Sequence, residues 1–475
     1  MTIFLFFYME DNTMSKAIQR IESLLDEHSF VELGALVTSR STDFNLNDRK
    51  APSDGVVIGH GLIDDNLVFV FSQDASVLNG TIGEMHAKKI LSVYDMAVKM
   101  GAPVIGLLDC AGVRLQESLD AMESLGAIYR KAVEASGAVP QIMGVFGNCG
   151  GGLSVLTSVS DFTFMEKDAK LFLNTPNAIG GNREDKLDTA GADFQYSEAG
   201  NVDFVGTEQE IFAAMRQLVI MLPGCSLEDG RVDACLDDLN RASEGMEDKL
   251  CDAAAFAAEI SDNRVFVECK AGFASEMVTG LIKLNGATVG VVGNRQTGKE
   301  SLLTADGCGK AADFVRFCDA FDIPVLSLTN VTGYEATIAS EKLLTREAAR
   351  MTAAFAEASV PKINFITKEA YGSAYVLMNS KALGADLVYA YDTAKIGIMD
   401  SALAAKIMYE DKSADEISEK AKEFEELQSG IAAAAARGYV DRVITPADTR
   451  KYLIAGFEML FTKRTDGPFK KHSTK

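Results

Sequence analysis

The sequence has no stretch that is long and apolar enough to form a membrane-spanning helix. The short apolar run in MTIFLFFYMEDNT lacks a basic leader and is followed by acidic residues, so we do not expect a signal peptide. Metal-ligand patterns are also missing, because the eight cysteines form no Cys-x-x-Cys pair and the four histidines are scattered. We therefore expect a cytoplasmic protein with free thiols and no metal site.

Positive charge is scarce in this chain. The 46 lysines and arginines are outnumbered by 68 aspartates and glutamates, which gives a net charge of −22. A nucleic-acid-binding protein needs a positive surface to displace counterions, so this balance argues against nucleic acid as a partner. A length of 475 residues predicts two or three domains, and a hydrophobic fraction of 47% is typical of folded proteins.

Strand-like apolar runs alternate with helical patterns along the chain. Strands are predicted at residues 55–63, 66–74, 102–110 and 140–147, and helices at residues 16–26, 84–101 and 121–137. The last two strands are apolar throughout, which is typical of strands buried on both faces of a sheet. This order predicts an α/β fold with largely parallel strands.

The second half of the chain repeats the first. APVIGLLDCAGV (residues 102–113) is similar to IPVLSLTNVTGY (residues 323–334), 221 residues further on, and the same offset places Gly151 on Gly372. Matches at one common offset indicate an internal duplication. The predicted organisation is an N-terminal extension over 1–15, a domain over 16–225, an acidic connection over 226–250 and a second domain over 251–475.

In each half, a buried strand leads into a turn of small residues and then into a helix. The first turn contains Gly150, Gly151 and Gly152, and the second contains Gly372, Ser373 and Ala374. A helix N-terminus has unpaired N–H groups and the positive end of the helix dipole, and small residues allow a ligand to approach it. Both turns are candidate oxyanion sites, although either glycine run alone is also compatible with tight strand–helix packing.

Neither turn is accompanied by a Ser-His-Asp or Cys-His arrangement. Cys149 precedes the first turn, and the lack of a nearby histidine favours a packed thiol over a nucleophile. Oxyanion donors without a side-chain base indicate enolate chemistry in which a cofactor supplies the base. Residues 293–300 nearly match a phosphate-binding loop, but Glu300 stands where a hydroxyl should meet magnesium, so we predict only a polar loop at a strand end.

The chain resembles the carboxyltransferase subunits of biotin-dependent acyl-CoA carboxylases and sodium-pumping decarboxylases, including the propionyl-CoA and methylmalonyl-CoA enzymes. The resemblance is carried by stretches such as RIESLLDEHSFVELGALV, GAPVIGLLDCAGVRLQE, SGAVPQIMGVFGNCGGG and EASVPKINFITKEAYGSAYVLM. They follow in the expected order from about Arg20 to Met399. The resemblance implies a tandem pair of crotonase-like ββα domains, the first for acyl-CoA and the second for biotin. It also implies a dimer-based homo-oligomer, often a hexamer.

The resemblance further implies the roles of the site residues. The implied catalytic residues are Gly151, Gly152, Gly372, Ser373 and Ala374, and the implied substrate contacts are Gly150, Arg114 and Val376. The first turn would stabilise the enolate oxygen of a short-chain acyl-CoA thioester, and the second the ureido oxygen of biotin. Arg114 either binds coenzyme A or forms a structural salt bridge, and Val376 either lines the acyl pocket or packs in an ordinary way.

The same resemblance implies partner chains. Lys99 lies in a helical stretch, Ala97-Val98-Lys99-Met100, and not in the exposed hairpin typical of biotinylated lysines. Biotin is therefore expected on a separate biotin carboxyl carrier protein, together with a biotin carboxylase or a membrane decarboxylase subunit. The chain departs from relatives on the biotin side. Residues 331–336 read Val-Thr-Gly-Tyr-Glu-Ala where relatives carry Pro-Gly-Phe-Leu-Pro-Gly, and Ser373 replaces a glycine.

Two other functions stay open at this point. One is a biotin-independent crotonase-type reaction, such as decarboxylation or hydration of an acyl-CoA. It needs an acid or base, for which Glu117 is the nearest candidate in sequence. The other is a non-catalytic assembly subunit, suggested by the altered loop at residues 331–336.

Overall fold

The computed structural model describes residues 14–40, 51–182, 186–228 and 230–465. The chain divides into two compact units, Met1–Ile220 and Met221–Lys475. The predicted N-terminal extension lies outside the described residues except for Met14 and Ser15. Over the described ranges, none of the helices has the length and hydropathy needed to cross a membrane.

The first unit is built around one sheet of eight strands. The strands are β1 (Val31–Leu33), β2 (Val56–Ile63), β3 (Asn66–Gln73), β4 (Val104–Cys110), β5 (Gln141–Gly150), β6 (Phe162–Glu166), β7 (Lys170–Phe172) and β8 (Phe204–Gly206). The helices are α1 (Lys16–Leu24), α2 (Glu84–Met100), α3 (Ser118–Ala135), α4 (Ser154–Val159), α5 (Ala192–Ser197) and α6 (Glu208–Met221).

The strand order in this sheet is β1-β2-β3-β4-β5-β6-β8, and β7 pairs with the end of β5. Strands β1 to β3 are antiparallel, and the pairs from β3 to β8 are parallel. Strands β4 and β5 lie in the middle and are covered on both faces, which explains their apolar sequences. The predicted strands, helices and parallel pairing of this half are therefore confirmed.

The second unit has the same plan. Its strands are β9 (Val267–Cys269), β10 (Met277–Leu284), β11 (Ala287–Asn294), β12 (Leu302–Leu303), β13 (Val325–Val331), β14 (Gly333–Tyr334), β15 (Lys362–Tyr371), β16 (Leu387–Ala390), β17 (Lys395–Gly397) and β18 (Arg442–Val443). The main sheet has the order β9-β10-β11-β13-β15-β16-β18, with β17 on the end of β15, while β12 and β14 form a separate two-stranded ribbon.

The helices of the second unit lie between these strands and at their ends. They are α7 (Ala253–Ile260), α8 (Ala305–Ala320), α9 (Ile338–Glu341), α10 (Leu344–Glu357), α11 (Gly372–Leu377), α12 (Ser401–Met408), α13 (Ala414–Phe424), α14 (Ile431–Ala436) and α15 (Thr449–Leu460). Helix α14 lies between β17 and β18, as α5 lies between β7 and β8 in the first unit, and α12 and α13 precede it.

The duplication extends to individual hydrogen bonds. The N–H of Asp109 donates to Oε1 of Gln73 at 3.2 Å, and the N–H of Asn330 donates to Oδ1 of Asn294 at 3.1 Å, with both pairs 221 residues apart. The β4–β5 and β13–β15 pairs also shift register at equivalent positions. The predicted α/β fold with an internal duplication is confirmed.

Residues 226–250, predicted as a connection, lie within the second unit. Val232 forms a bridge to Ala287, and Met246 is fully buried in the core of that unit. The predicted domain boundaries remain predictions. They were based on the acidic composition of this segment, which indicates solvent exposure but does not locate the start of a domain.

Asp161 is a half-buried residue directly before β6. It accepts a hydrogen bond from the N–H of Gln141 at 2.8 Å, and burial raises its pKa to about 7. A folded-state pKa above the ordinary value of 3.8 means that the folded protein binds more protons than the unfolded chain between these two values. Stability therefore falls as pH rises through about 7.

We expect Asp161→Asn to remove this part of the pH dependence, because the amide keeps an acceptor for Gln141 but does not titrate. Urea unfolding from about pH 5 to about pH 8 measures it. The wild-type midpoint should fall over this range relative to that of the variant. Parallel pH profiles for the two proteins would show that Asp161 is already ionised in the folded state.

Candidate functional site

The first predicted turn lies where β5 meets α4. Residues Gly151–Leu153 form one turn of 3-10 helix that continues directly into α4. Gly151 has φ of 62°, in the left-handed region that glycine adopts without strain. No side chain caps this turn, so its first N–H groups are available to a ligand.

Two side chains hold the carbonyl groups of the first turn. The Tyr129 hydroxyl, on α3, donates a hydrogen bond to the Gly152 carbonyl, and Ser154 Oγ donates to the Gly151 carbonyl at 2.8 Å. A Cβ atom at position 152 would lie 2.8 Å from both Leu125 Cδ2 and Tyr129 Oη. An alanine at position 152 would therefore displace the ends of these two side chains, and the Tyr129 hydroxyl is one of the groups that hold the turn.

Gly150, predicted as a substrate contact, has a packing function in the structure. It is buried at the end of β5, and a Cβ atom there would lie 2.6 Å from the ring of Phe172 on β7. The close approach of this ring explains the glycine without a ligand. Contact between Gly150 and substrate stays a prediction.

Arg114 is held in a buried ion cluster. Its side chain is 1% exposed, and Nη1 lies 2.7 Å from both Asp54 Oδ1 and Glu117 Oε1. Its remaining donors reach the Oγ1 and carbonyl oxygen of Thr81. Burial raises the pKa of Asp54, and the Arg114 charge opposes this rise. Of the two alternatives for Arg114, the geometry favours the structural salt bridge over a contact with coenzyme A.

Glu117, the acid or base considered for a biotin-independent reaction, belongs to the same cluster. Its side chain is fully buried, and its carboxylate also accepts the N–H of Glu84 at 2.6 Å. Both of its oxygens are therefore bound by protein donors. This arrangement fits a residue that fixes the start of α2 and does not fit a group that exchanges protons with a substrate.

The second turn repeats the geometry of the first. Strand β15 ends at Tyr371, and α11 begins at Gly372, which also has φ of 62°. No side chain caps this helix either. A Cβ atom at Gly372 would lie 3.2 Å from the carbonyl oxygen of Ile398, so the backbone there leaves little room for a side chain. Ala374 is 1% exposed and anchors the helix against the core.

A cavity of about 460 Å³ opens at this second turn. Gly372, Ser373 and Ala374 line it, together with Tyr334 from the altered loop. The second turn and the altered loop at residues 331–336, which the sequence analysis treated separately, therefore line the same cavity. Val376 lies on the same helix but is 40% exposed and does not line this cavity, so its place near an acyl chain stays a prediction.

Four charged residues of this cavity were not predicted as site residues. Lys299 and Glu300 come from the loop that resembles a phosphate-binding motif. Glu369 lies near the end of β15, and Asp400 lies directly before α12. Glu369 precedes the second turn by three residues, so the duplication that located this turn also indicates that Glu369 lies near it. Nothing in the sequence pattern places Lys299, Glu300 or Asp400 beside that turn.

Comparison with known proteins identifies the family. The sequence profile of the Carboxyl transferase domain matches residues 11–474. The chain belongs to the carboxyl transferase family. It is 37% identical to the propionyl-CoA carboxylase beta chain of Roseobacter denitrificans, over 96% of this chain and 92% of that protein. It is 36% identical to methylmalonyl-CoA decarboxylase subunit alpha of Veillonella parvula, with the same coverage.

Solved structures of this carboxyl transferase family show the same fold. The crystal structure of transcarboxylase 12S, described as a hexamer with methylmalonyl-coenzyme A and methylmalonic acid bound, matches with a TM-score of 0.91 and 34% identity. The match covers 96% of this chain and 92% of that one. The predicted tandem crotonase-like fold and the predicted carboxyltransferase activity are confirmed. The family is biotin-dependent and acts on acyl-CoA thioesters.

Proposed function

We propose that this carboxyltransferase moves a carboxyl group between biotin on a separate carrier protein and a short-chain acyl-CoA, such as propionyl- or methylmalonyl-CoA or acetyl- or malonyl-CoA. The observation that carries the proposal is the pair of equivalent turns. Each turn begins with a glycine at φ of 62° and presents N–H groups that no side chain caps. Two oxyanion sites suit a reaction in which one carboxyl group passes between two carbonyl compounds.

The first turn is the proposed acyl-CoA site, in a domain over residues 16–225. The N–H groups of Gly151 and Gly152 would hold the thioester oxygen as negative charge develops on it. One such donor contributes roughly 3–4 kcal/mol to lowering the barrier. Tyr129 would keep these donors in place, because its hydroxyl holds the Gly152 carbonyl. No side-chain base is needed at this turn, in agreement with the buried state of Glu117.

The second turn is the proposed biotin site, in a domain over residues 251–475. The cavity of about 460 Å³ accommodates a small bicyclic urea, with Ile398, Met399 and Leu403 as apolar walls. The N–H groups of Ser373 and Ala374 would hold the ureido oxygen. When bound, biotin supplies the ring nitrogen that carries the carboxyl group and accepts the substrate proton.

The proposal extends to partners and location. We infer a biotin carboxyl carrier protein and either a biotin carboxylase or a membrane decarboxylase subunit as partners. We also infer a homo-oligomer built from dimers, in which the acyl-CoA site of one subunit faces the biotin site of its neighbour; the hexamer of transcarboxylase 12S supports it. The eight cysteines all lie in the described ranges and form no disulfide bond there, which fits the reducing cytoplasm.

Decarboxylation of methylmalonyl-CoA by the purified chain, with and without free biotin, tests the proposal. We expect turnover only with biotin, and we expect Gly372→Ala to reduce it at least ~10-fold, since a displaced turn loses its oxyanion geometry. Gly438→Ala is the matched control. Its φ of 77° imposes similar strain, but a Cβ atom there meets no neighbour and Gly438 does not line the cavity.

The control separates catalysis from stability. Both alanine variants should lose about 1–2 kcal/mol of unfolding free energy through left-handed strain. Only Gly372→Ala should lose biotin-dependent turnover. Turnover that is independent of biotin would contradict the proposal in favour of a biotin-independent reaction, and no turnover by any form, alone or with carrier and partner subunits, would favour an assembly subunit.

A further inference from the structure

The cavity at the second turn contains a pair of hydroxyl groups in direct contact. The Tyr334 hydroxyl donates a hydrogen bond to Ser373 Oγ at 3.1 Å. Burial raises the pKa of Tyr334, so the phenol stays protonated and remains a donor at neutral pH. Because Ser373 Oγ accepts this bond, its own hydrogen is left for another acceptor.

The backbone on both sides of Tyr334 is fixed. Strand β14 pairs with β12 in the two-stranded ribbon. The N–H of Thr332 donates to the Ser301 carbonyl at 2.7 Å, and the N–H of Glu335 donates to the Leu303 carbonyl at 2.9 Å. The phenol is therefore presented by a rigid element and holds the Ser373 side chain in one orientation.

The charged side chains that line the cavity are mainly negative, so an oxygen that gains negative charge there needs a hydrogen-bond donor aimed at it. The carboxylates of Glu300, Glu369 and Asp400 line it against the single ammonium group of Lys299, so the described lining is negative overall. An oxygen that gains negative charge in such surroundings is stabilised by short hydrogen bonds more than by the general field. The Ser373 hydroxyl oxygen is three covalent bonds from the Ser373 backbone nitrogen, so both donors of this residue can reach one acceptor.

We propose that the Ser373 hydroxyl, oriented by Tyr334, donates a further hydrogen bond to the oxygen bound at the second turn. This inference rests on the proposed function, in which that oxygen belongs to the ureido group of biotin. Ser373 then contacts the ligand through two donors, its N–H and its hydroxyl. Tyr334 is a positioning residue, because it acts on the ligand through Ser373.

The test measures binding of free biotin directly, by ligand-observed NMR titration of the full chain. Ser373→Ala should weaken binding about 3- to 10-fold, the usual effect of one hydrogen bond. Tyr334→Phe should weaken it by about 3-fold, and the double variant should match Ser373→Ala alone, because Tyr334 has no effect without the serine hydroxyl. Ser373→Thr should restore binding, since it keeps the hydroxyl.

Tyr439→Phe is the matched control for the tyrosine change, since Tyr439 is 55% exposed and does not line the cavity. Its biotin affinity should equal that of the wild type, and every variant should keep its KM for methylmalonyl-CoA. Unchanged or tighter biotin binding in Ser373→Ala would overturn the inference, as would additive effects in the double variant. A wild-type chain that neither binds nor uses biotin would overturn the proposed function as well.

Discussion

Replacing Gly152 with alanine is expected to reduce carboxyl transfer about 100-fold, because alanine keeps the oxyanion-hole N–H but moves it out of position. The added Cβ would lie 2.8 Å from Leu125 Cδ2 and from Tyr129 Oη, and both contacts are too close. The Tyr129 hydroxyl also holds the Gly152 carbonyl, so a phenol that moves away releases the turn. The loss should appear in kcat more than in the KM for acyl-CoA, because charge develops only in the transition state.

Gly126→Ala is the control for this experiment. Gly126 lies on α3, the helix that carries Tyr129, and a Cβ atom there meets no neighbour within 4 Å. Alanine should make the helix more stable by up to about 1 kcal/mol and leave turnover unchanged. Initial rates and thermal unfolding of both variants provide the comparison. A fully active Gly152→Ala variant would show that the enolate oxygen is not held at the first turn.

Replacing Arg114 with methionine is expected to lower the free energy of unfolding by about 3–5 kcal/mol. The change leaves the carboxyl groups of Asp54 and Glu117 buried beside each other without a cation. Burial already raises the pKa of Asp54 against the opposing Arg114 charge, and loss of that charge raises it further, so this carboxyl group avoids charge by binding a proton. The loss of stability should therefore be largest at neutral pH and become smaller as pH falls.

Urea unfolding at about pH 5 and about pH 7.5 measures this effect. Arg346→Met is the control, because the Arg346 side chain is 66% exposed in its ion pair with Glu347, and such surface pairs contribute less than about 1 kcal/mol. The KM for methylmalonyl-CoA distinguishes the two roles considered for Arg114. A stable Arg114→Met variant with a raised KM would support a contact with coenzyme A and contradict the structural role.

The repeat made much of the fold predictable. Hydrophobic runs and one common offset of 221 residues were enough to place β4, β5, β13 and β15 and the two turns, because buried parallel strands have unbroken apolar sequences. The offset also relates the two halves to each other. One turn of small residues alone is weak evidence of an oxyanion site, but two turns at equivalent positions are stronger evidence.

The environment of individual side chains was not predictable in the same way. Arg114 pairs with Asp54, which is 60 residues away in sequence, and no spacing rule connects the two. Lys299 and Glu300 reach the cavity because their loop follows β11 of the same sheet, which is a property of the folded chain. This loop departs from a phosphate-binding motif at Glu300 and borders the cavity at the second turn.

The equivalence of Gly151 and Gly372 has an evolutionary consequence. A duplicated chain carries two copies of this turn, and each copy can change without the other. Gly152 and Ser373 occupy equivalent positions in the two copies, so the serine hydroxyl is a property of one turn alone.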